Sequence, residues 1–174
     1  VLAALGCLIG YGALVLPRCE KRSGSQLFDP VHEMLPRMDL STCIAALTNA
    51  GICLGTYEEV SCGTLRVMLG KFAAITACKA VMLYLTPFGL PREHQPLYDP
   101  CIAKICRLPT SLTYSYDLMF SGHTATSTLV FLNSEHVYVA TILWIAIPVA
   151  LLCHRNHYTI DIVVAWFVTY TVND

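Results

Sequence analysis

The sequence predicts an all-α fold, a polytopic membrane protein built as a bundle of six transmembrane helices, and three observations carry that expectation. Of its 174 residues 55% are hydrophobic and only 13% are charged, roughly half the charge of an ordinary soluble domain. The mean hydropathy is +0.56, and the apolar residues gather in long runs, as a bilayer requires. Backbone groups in lipid are satisfied only within helices or closed barrels, and these runs are too long for barrel strands.

The length suits one membrane-embedded domain, 1–174. Its apolar runs are 1–16, 40–57, 72–90, 118–133, 136–153 and 158–172. The first closes at Pro17. The second is rich in Ala, Thr, Gly and Cys, residues small enough for close helix packing in lipid. Lys79 interrupts the third. The fourth and sixth fall short of the roughly 20 residues a span needs, so they must borrow from their flanks or be shielded by protein. Long polar loops at 17–39 and 91–117 alternate with brief connections at 58–64 and 134–135. With this parity the fourth and sixth spans start from the same face of the membrane, where both long loops also lie.

The chain begins at Val1 inside one apolar run and ends at Asp174 just after another, so it reads as a fragment lacking its terminal tails. No basic stretch precedes residues 1–16, which argues against a signal peptide. Net charge is −1, giving no footing for a nucleic-acid partner. Of nine cysteines, Cys7, Cys43, Cys53 and Cys78 fall in apolar runs, where Cys behaves as a small hydrophobe. Cys101 and Cys106 share a polar loop and are able to pair in an oxidising compartment. No CxxC pair occurs, which excludes the usual structural zinc spacing.

The chemistry concentrates in two places. Ser121-Gly122-His123 opens the fourth span, and His157-Tyr-Thr-Ile-Asp161 opens the sixth. His157 and Asp161 stand four residues apart, a spacing that makes them neighbours on a helix. A carboxylate there fixes the imidazole tautomer and leaves the other ring nitrogen as a nucleophile toward phosphorus. Ser121 and Gly122 at a helix start offer free N–H groups and a positive dipole end to phosphate oxygens. His123 is the general acid and base, protonating a leaving alkoxide and later deprotonating an incoming hydroxyl. An ionisable residue inside an apolar span is a functional candidate by default, which strengthens Asp161. Taken singly, each histidine has a plainer reading as an interfacial, hydrogen-bonded residue.

Lys79 is read either as a lysine snorkelling to the interface or, with Arg155, as a phosphate-binding cation. Arg92 and Arg107 are read as solvated loop charges, and Tyr84 and Thr86 as pocket-lining or packing residues. Asp29, His32, Glu33 and Asp39 are read first as members of a solvated loop, with headgroup contact as the alternative. A metal site on His154, His157 and Asp161, which share a face if one helix runs through them, is the lesser reading, since no further carboxylate is placed to complete the shell. No metal and no cofactor is expected.

DLMFSGHT (117–124) and HYTIDIVVAW (157–166) resemble the paired motifs of the sphingomyelin synthase group, within the type 2 phosphatidic acid phosphatase superfamily. KAVMLYLTPFGLP (79–91) is similar to a motif of those synthases at their third helix, with Lys79 where the group usually has Arg. LFDPVHEMLPRMDLS (27–41) is more distantly similar to an element of their first loop. The resemblance implies a six-helix core and a triad of His123, His157 and Asp161. It further implies transfer of a headgroup such as phosphocholine from a phospholipid to ceramide or diacylglycerol, through a phosphohistidine at His157. The implied partners are these lipids and the membrane itself, with homo-oligomers an option. The implied setting is the endoplasmic reticulum, Golgi or plasma membrane with the triad facing the lumen or exterior. Charge bias alone points the other way: Arg18, Lys21, Arg22, Arg37, Arg92, Lys104, Arg107 and Arg155 lie on the active side, against Arg66 and Lys71 on the other. We follow the resemblance on sidedness. The alternative activity is a lipid phosphate phosphatase using the same triad with water; no Arg-Pro dipeptide precedes the SGH, as such phosphatases typically have. A non-catalytic lipid-binding or channel subunit gains nothing from these motifs.

Overall fold

The computed structural model describes residues 26–86, 89–91 and 118–174, and every regular element among them is helical. The predicted span 1–16, the pair Cys101 and Cys106, and Arg92 and Arg107 lie outside the described residues. Each of the other five predicted spans coincides with a helix. After a short α1 (Pro30–Met34) come α2 (Ser41–Cys62), α3 (Leu65–Leu85), α4 (Gly122–Asn133), α5 (Val137–Cys153) and α6 (Thr159–Asn173).

The termini follow local chemistry. Asp29 caps α1, its Oδ1 accepting from the Val31 N–H at 3.0 Å, and Pro30 occupies the first turn, where a missing N–H costs nothing. Gly63 ends α2 at φ 73°, a left-handed conformation that frees its N–H for Val60 and the Thr64 N–H for Glu59. Ser121 caps α4 by accepting from the Thr124 N–H.

Two boundaries differ from the sequence expectation. The segment expected to be a loop from 58 is helical to Cys62, because Glu58 is buried rather than solvated. Its Oε1 accepts from Ser134 Oγ (2.8 Å) and from the N–H groups of Glu135 (3.0 Å) and His136 (3.2 Å), so α2 supplies the polar partner of the α4–α5 turn. The third helix starts at Leu65 rather than 72. Its extra turns carry Lys71, whose Nζ donates to Asn133 Oδ1 (3.2 Å) and Asn173 Oδ1 (2.9 Å).

Helix α4 is the centre of the bundle. Thr124, Ala125, Ser127, Thr128, Leu129 and Val130 are all buried, enclosed by α2, α5 and α6. With 12 residues it is about 18 Å long, too short to span lipid, and its enclosure by protein removes that requirement. Its buried hydroxyls bond back into the helix, Thr128 Oγ1 and Ser127 Oγ both donating to the Thr124 carbonyl. One apolar cluster joins Ile75, Phe120, Ala125, Leu129, Ala165 and Val168; a second joins Ile44 to Leu143, Ile147, Ala150 and Leu151. Among the described residues α3 is the one helix long and apolar enough to cross a membrane, with α5 and α6 apolar but shorter.

Gly55 shows how closely α2 approaches α4: a Cβ there would lie 3.0 Å from Val130 Cγ2 and 3.1 Å from Met68 Cε. A Cβ on Gly70 meets nothing within 4 Å. Gly55→Leu is therefore expected to destabilise the bundle by about 1–3 kcal/mol through overpacking. Gly70→Ala should stabilise it by about 0.5–1 kcal/mol through helix propensity alone. Thermal unfolding of the two variants in detergent, compared with wild type, checks the opposite signs.

Candidate active site

Asp161 lies in the first turn of α6 and is fully buried, at 0% exposure. A carboxylate removed from water needs donors, and this one has three. Its Oδ2 accepts from His157 Nδ1 (3.1 Å) and the Tyr158 N–H (3.0 Å), and its Oδ1 from the Met119 N–H (2.8 Å). The Asp161 carbonyl also accepts from the Ser121 N–H at 3.2 Å. These last two bonds bring the SGH turn against the start of α6. Met119 sits at φ 82° and Arg155 at φ 62°, a left-handed conformation that costs a non-glycine residue about 1–3 kcal/mol. At Met119 the charge-assisted bond to Asp161 offsets that cost.

The expected helical pairing of His157 with Asp161 is realised differently. The helix starts at Thr159, and Tyr158 is its extended N-cap residue, so His157 precedes the helix. Asp161 reaches back over the first turn to meet it. For the same reason no shared face joins His154, His157 and Asp161. His154 ends α5 as its C-cap, and its Nδ1 accepts from the Leu40 N–H at 3.2 Å. Because a carboxylate only accepts, the His157–Asp161 bond puts the proton on Nδ1 and leaves the Nε2 lone pair for chemistry.

Ser121 is fully buried: its N–H donates to the Asp161 carbonyl, and its Oγ accepts from the Thr124 N–H (3.2 Å) and Thr124 Oγ1 (3.0 Å). These bonds hold the turn. Gly122 follows at the first helical position, where the N–H has no intrahelical acceptor. Lys79 on α3 reaches this spot, for a Cβ on Gly122 would lie only 3.2 Å from Lys79 Nζ. Lys79 is 7% exposed; its ammonium turns inward to the SGH turn rather than outward to an interface. His123, in the first turn of α4, is half-buried. Arg155 Nη2 donates to the carbonyls of His32 and, at 3.0 Å, Leu35.

Residues 27–40 form a strap over the α5–α6 connection, and this the sequence reading missed. Asp29 and His32, expected in a solvated loop, are buried, whereas Glu33 and Asp39 are exposed. Asp29 accepts from the Thr159 N–H (2.6 Å) and Thr159 Oγ1 (2.9 Å). His32 Nε2 donates to the His157 carbonyl at 3.0 Å, and its ring stacks on Tyr158. The Tyr158 hydroxyl receives the Leu27 N–H and donates to the Gly89 carbonyl, so one side chain joins the strap, the segment after α3 and the start of α6. The one sequence signal was Asp-Pro at 29–30, a helix-start signature within a polar stretch. An open, largely apolar cavity of about 380 Å³ lies beside the strap, between Phe28 and Val31 on one side and Ile160 and Val163 on the other.

Burial of the Asp29 carboxyl would raise its pKa, but the two bonds from Thr159, the neighbouring His32 and the Val31 N–H together hold it below the ordinary carboxylate value. Burial pushes His32 down, opposed by Asp29 and aided by Arg155. His32 is thus a neutral donor at neutral pH.

Residues 116–173, about a third of the chain, match a family model described as the PAP2 superfamily C-terminal domain. The matched stretch contains both histidine motifs and Asp161, and it supports kinship of this part of the chain with the type 2 phosphatidic acid phosphatase superfamily, not with the sphingomyelin synthase group in particular. No curated protein and no solved structure matches the chain.

A depressed pKa means that Asp29 contributes its full stability above its unfolded value, near 3.8, and loses it as pH falls through the lower folded value. Asp29→Ala is expected to cost about 1–3 kcal/mol at neutral pH. The gap to wild type should narrow below about pH 4. Thermal midpoints of both proteins measured from pH 7 to pH 3 check the narrowing.

Proposed function

We propose that this chain is the catalytic core of a multi-spanning membrane phosphotransferase. It moves a phospholipid headgroup, phosphocholine foremost, from a glycerophospholipid to a lipid hydroxyl such as that of ceramide or diacylglycerol. The observation that carries the reading is the junction of two motifs around one carboxylate. Asp161 orients His157 while its own turn docks on Ser121-Gly122, and the Lys79 ammonium lies over Gly122. The superfamily match across residues 116–173 supports chemistry on lipid phosphates.

In this mechanism His157 Nε2 attacks phosphorus, and the bond from phosphorus to the diacylglycerol oxygen breaks. His123 protonates that oxygen as it leaves. The Gly122 N–H, at the positive end of α4, and Lys79 stabilise the charge on the phosphoryl oxygens. His123, now neutral, takes the proton of the acceptor hydroxyl. The acceptor oxygen attacks phosphorus, the phosphorus–nitrogen bond breaks, and His157 returns with its lone pair. Arg155 is a weaker candidate for phosphate binding, since its guanidinium already serves two strap carbonyls. The proposal includes six membrane spans and a lumenal or exterior triad.

The deciding experiment incubates the purified full-length enzyme with labelled phosphatidylcholine, with and without ceramide or diacylglycerol, and identifies every product. Acceptor-dependent formation of a new headgroup lipid is expected. Release of phosphocholine regardless of acceptor would overturn transfer in favour of hydrolysis. His157→Ala should abolish both turnover and any trapped phosphoenzyme. Gly122→Ala, which pushes on the Lys79 ammonium, should reduce kcat at least tenfold.

A further inference from the structure

The position of His157 poses a physical problem that the triad alone does not solve. The residue lies outside α6, in the irregular connection 154–158, two residues after Arg155, whose φ is left-handed. Helical hydrogen bonding therefore does not fix its main chain. Asp161 holds the ring through Nδ1 and, on the same Oδ2, the N–H of the peptide that follows, that of Tyr158. The carbonyl side of that peptide has no partner from α6, and a nucleophile misplaced by about 1 Å loses on the order of a hundredfold in rate.

Resting on the phosphohistidine reading above, we infer that His32 is a positioning residue for phosphoryl transfer, fixing the nucleophile's main chain through its bond to the His157 carbonyl. His32 Nε2 donates to that carbonyl at 3.0 Å and is itself buried. The carbonyl only accepts, so the proton is on Nε2 of His32. Its ring stacks on Tyr158 with centroids 5.9 Å apart. Its own carbonyl receives Arg155 Nη2. One residue of the strap thus touches positions 155, 157 and 158, on both sides of the nucleophile. Asp29 Oδ2, 3.9 Å from His32 Nε2 and bonded to Thr159, anchors the strap on the helical side. The nucleophile is held by two elements: its ring and the N–H that follows it by α6, and its carbonyl by the strap.

The test separates a donor from mere packing. His32→Gln keeps an N–H at a similar reach, while His32→Leu and His32→Ala remove it. The probe is orthovanadate, which becomes five-coordinate on an imidazole nitrogen and so reports the nucleophile's geometry without any lipid. Binding to the full-length protein in nanodiscs is measured beside thermal midpoints and, with phosphatidylcholine and an acceptor, kcat and KM. Wild type is expected to bind vanadate and His157→Ala to lose it. His32→Gln should stay within about threefold of wild type, and the folded donor-lacking variants should bind at least tenfold more weakly, with kcat falling in step and KM within threefold. Vanadate binding and kcat in His32→Leu or His32→Ala equal to those of His32→Gln would overturn the role of His32 while leaving the phosphohistidine intact. Should neither of those two fold, a tenfold loss in His32→Gln overturns it instead. Equal vanadate binding by wild type and His157→Ala would remove the phosphohistidine reading, and this inference with it.

Discussion

A carboxylate with no exposed surface, Asp161, must either be surrounded by donors or give up its charge. Its own helix supplies only the Tyr158 N–H; the rest come from the His157 ring and from the Met119 N–H, a segment distant in sequence. Satisfying one side chain therefore requires that the entry to α4 dock on the entry to α6. Once it does, the location of the other parts follows. Gly122 and His123 come next in the chain after the docked turn, and α3 packs close enough for Lys79 to reach Gly122. Leaving one of these donors without its acceptor would cost about 1–3 kcal/mol for each, enough to make the arrangement specific as well as stable.

The opposite end of the bundle solves the same problem with a second set of polar groups. Glu58 satisfies the α4–α5 turn, and Lys71 bridges Asn133 and Asn173 at the ends of α4 and α6. Asn133 Nδ2 adds a bond to Asn173 Oδ1 at 2.9 Å. The central helix is thus tied at both termini by buried polar contacts and packed along its middle by small and apolar residues. Such a helix holds its N-terminal turn still, as the role proposed for that turn in binding phosphate requires.

Much of this was legible in the sequence because hydrophobic runs and ionisable exceptions are strong signals. Five helices lie where the runs predicted, and the crossing parity put the starts of the fourth and sixth at one end. What was not legible depended on contacts distant in sequence. Glu58 looked like the start of a loop because nothing local reveals that its partners are at Ser134 to His136. Asp29 and His32 sit in a polar stretch that composition assigns to solvent, yet their partners are the main chain at 157 and 159. The spacing of His157 and Asp161 gave the right neighbours for the wrong reason, since the helix begins between them. A short spacing at a helix start and one within a helix both bring side chains together, and the sequence does not distinguish them.

The two cations singled out from the sequence divide their work in a way that explains the lysine. Arg155 commits one guanidinium nitrogen, Nη2, to two carbonyls, those of His32 and Leu35. Two carbonyls in a strap are oxygens fixed by the fold, and a rigid, planar donor group suits fixed partners. At position 79 the geometry asks for something else. The ammonium lies where a Cβ on Gly122 would come within 3.2 Å of it, so a compact charge sits close against a residue that has no side chain. In the proposed mechanism a lysine, a point charge on a flexible stem, would follow phosphoryl oxygens as they rearrange about phosphorus, whereas a bidentate clamp favours one arrangement. The glycine and the lysine are then one device: the missing Cβ admits the charge, and the charge lies where the first turn of α4 already presents its N–H.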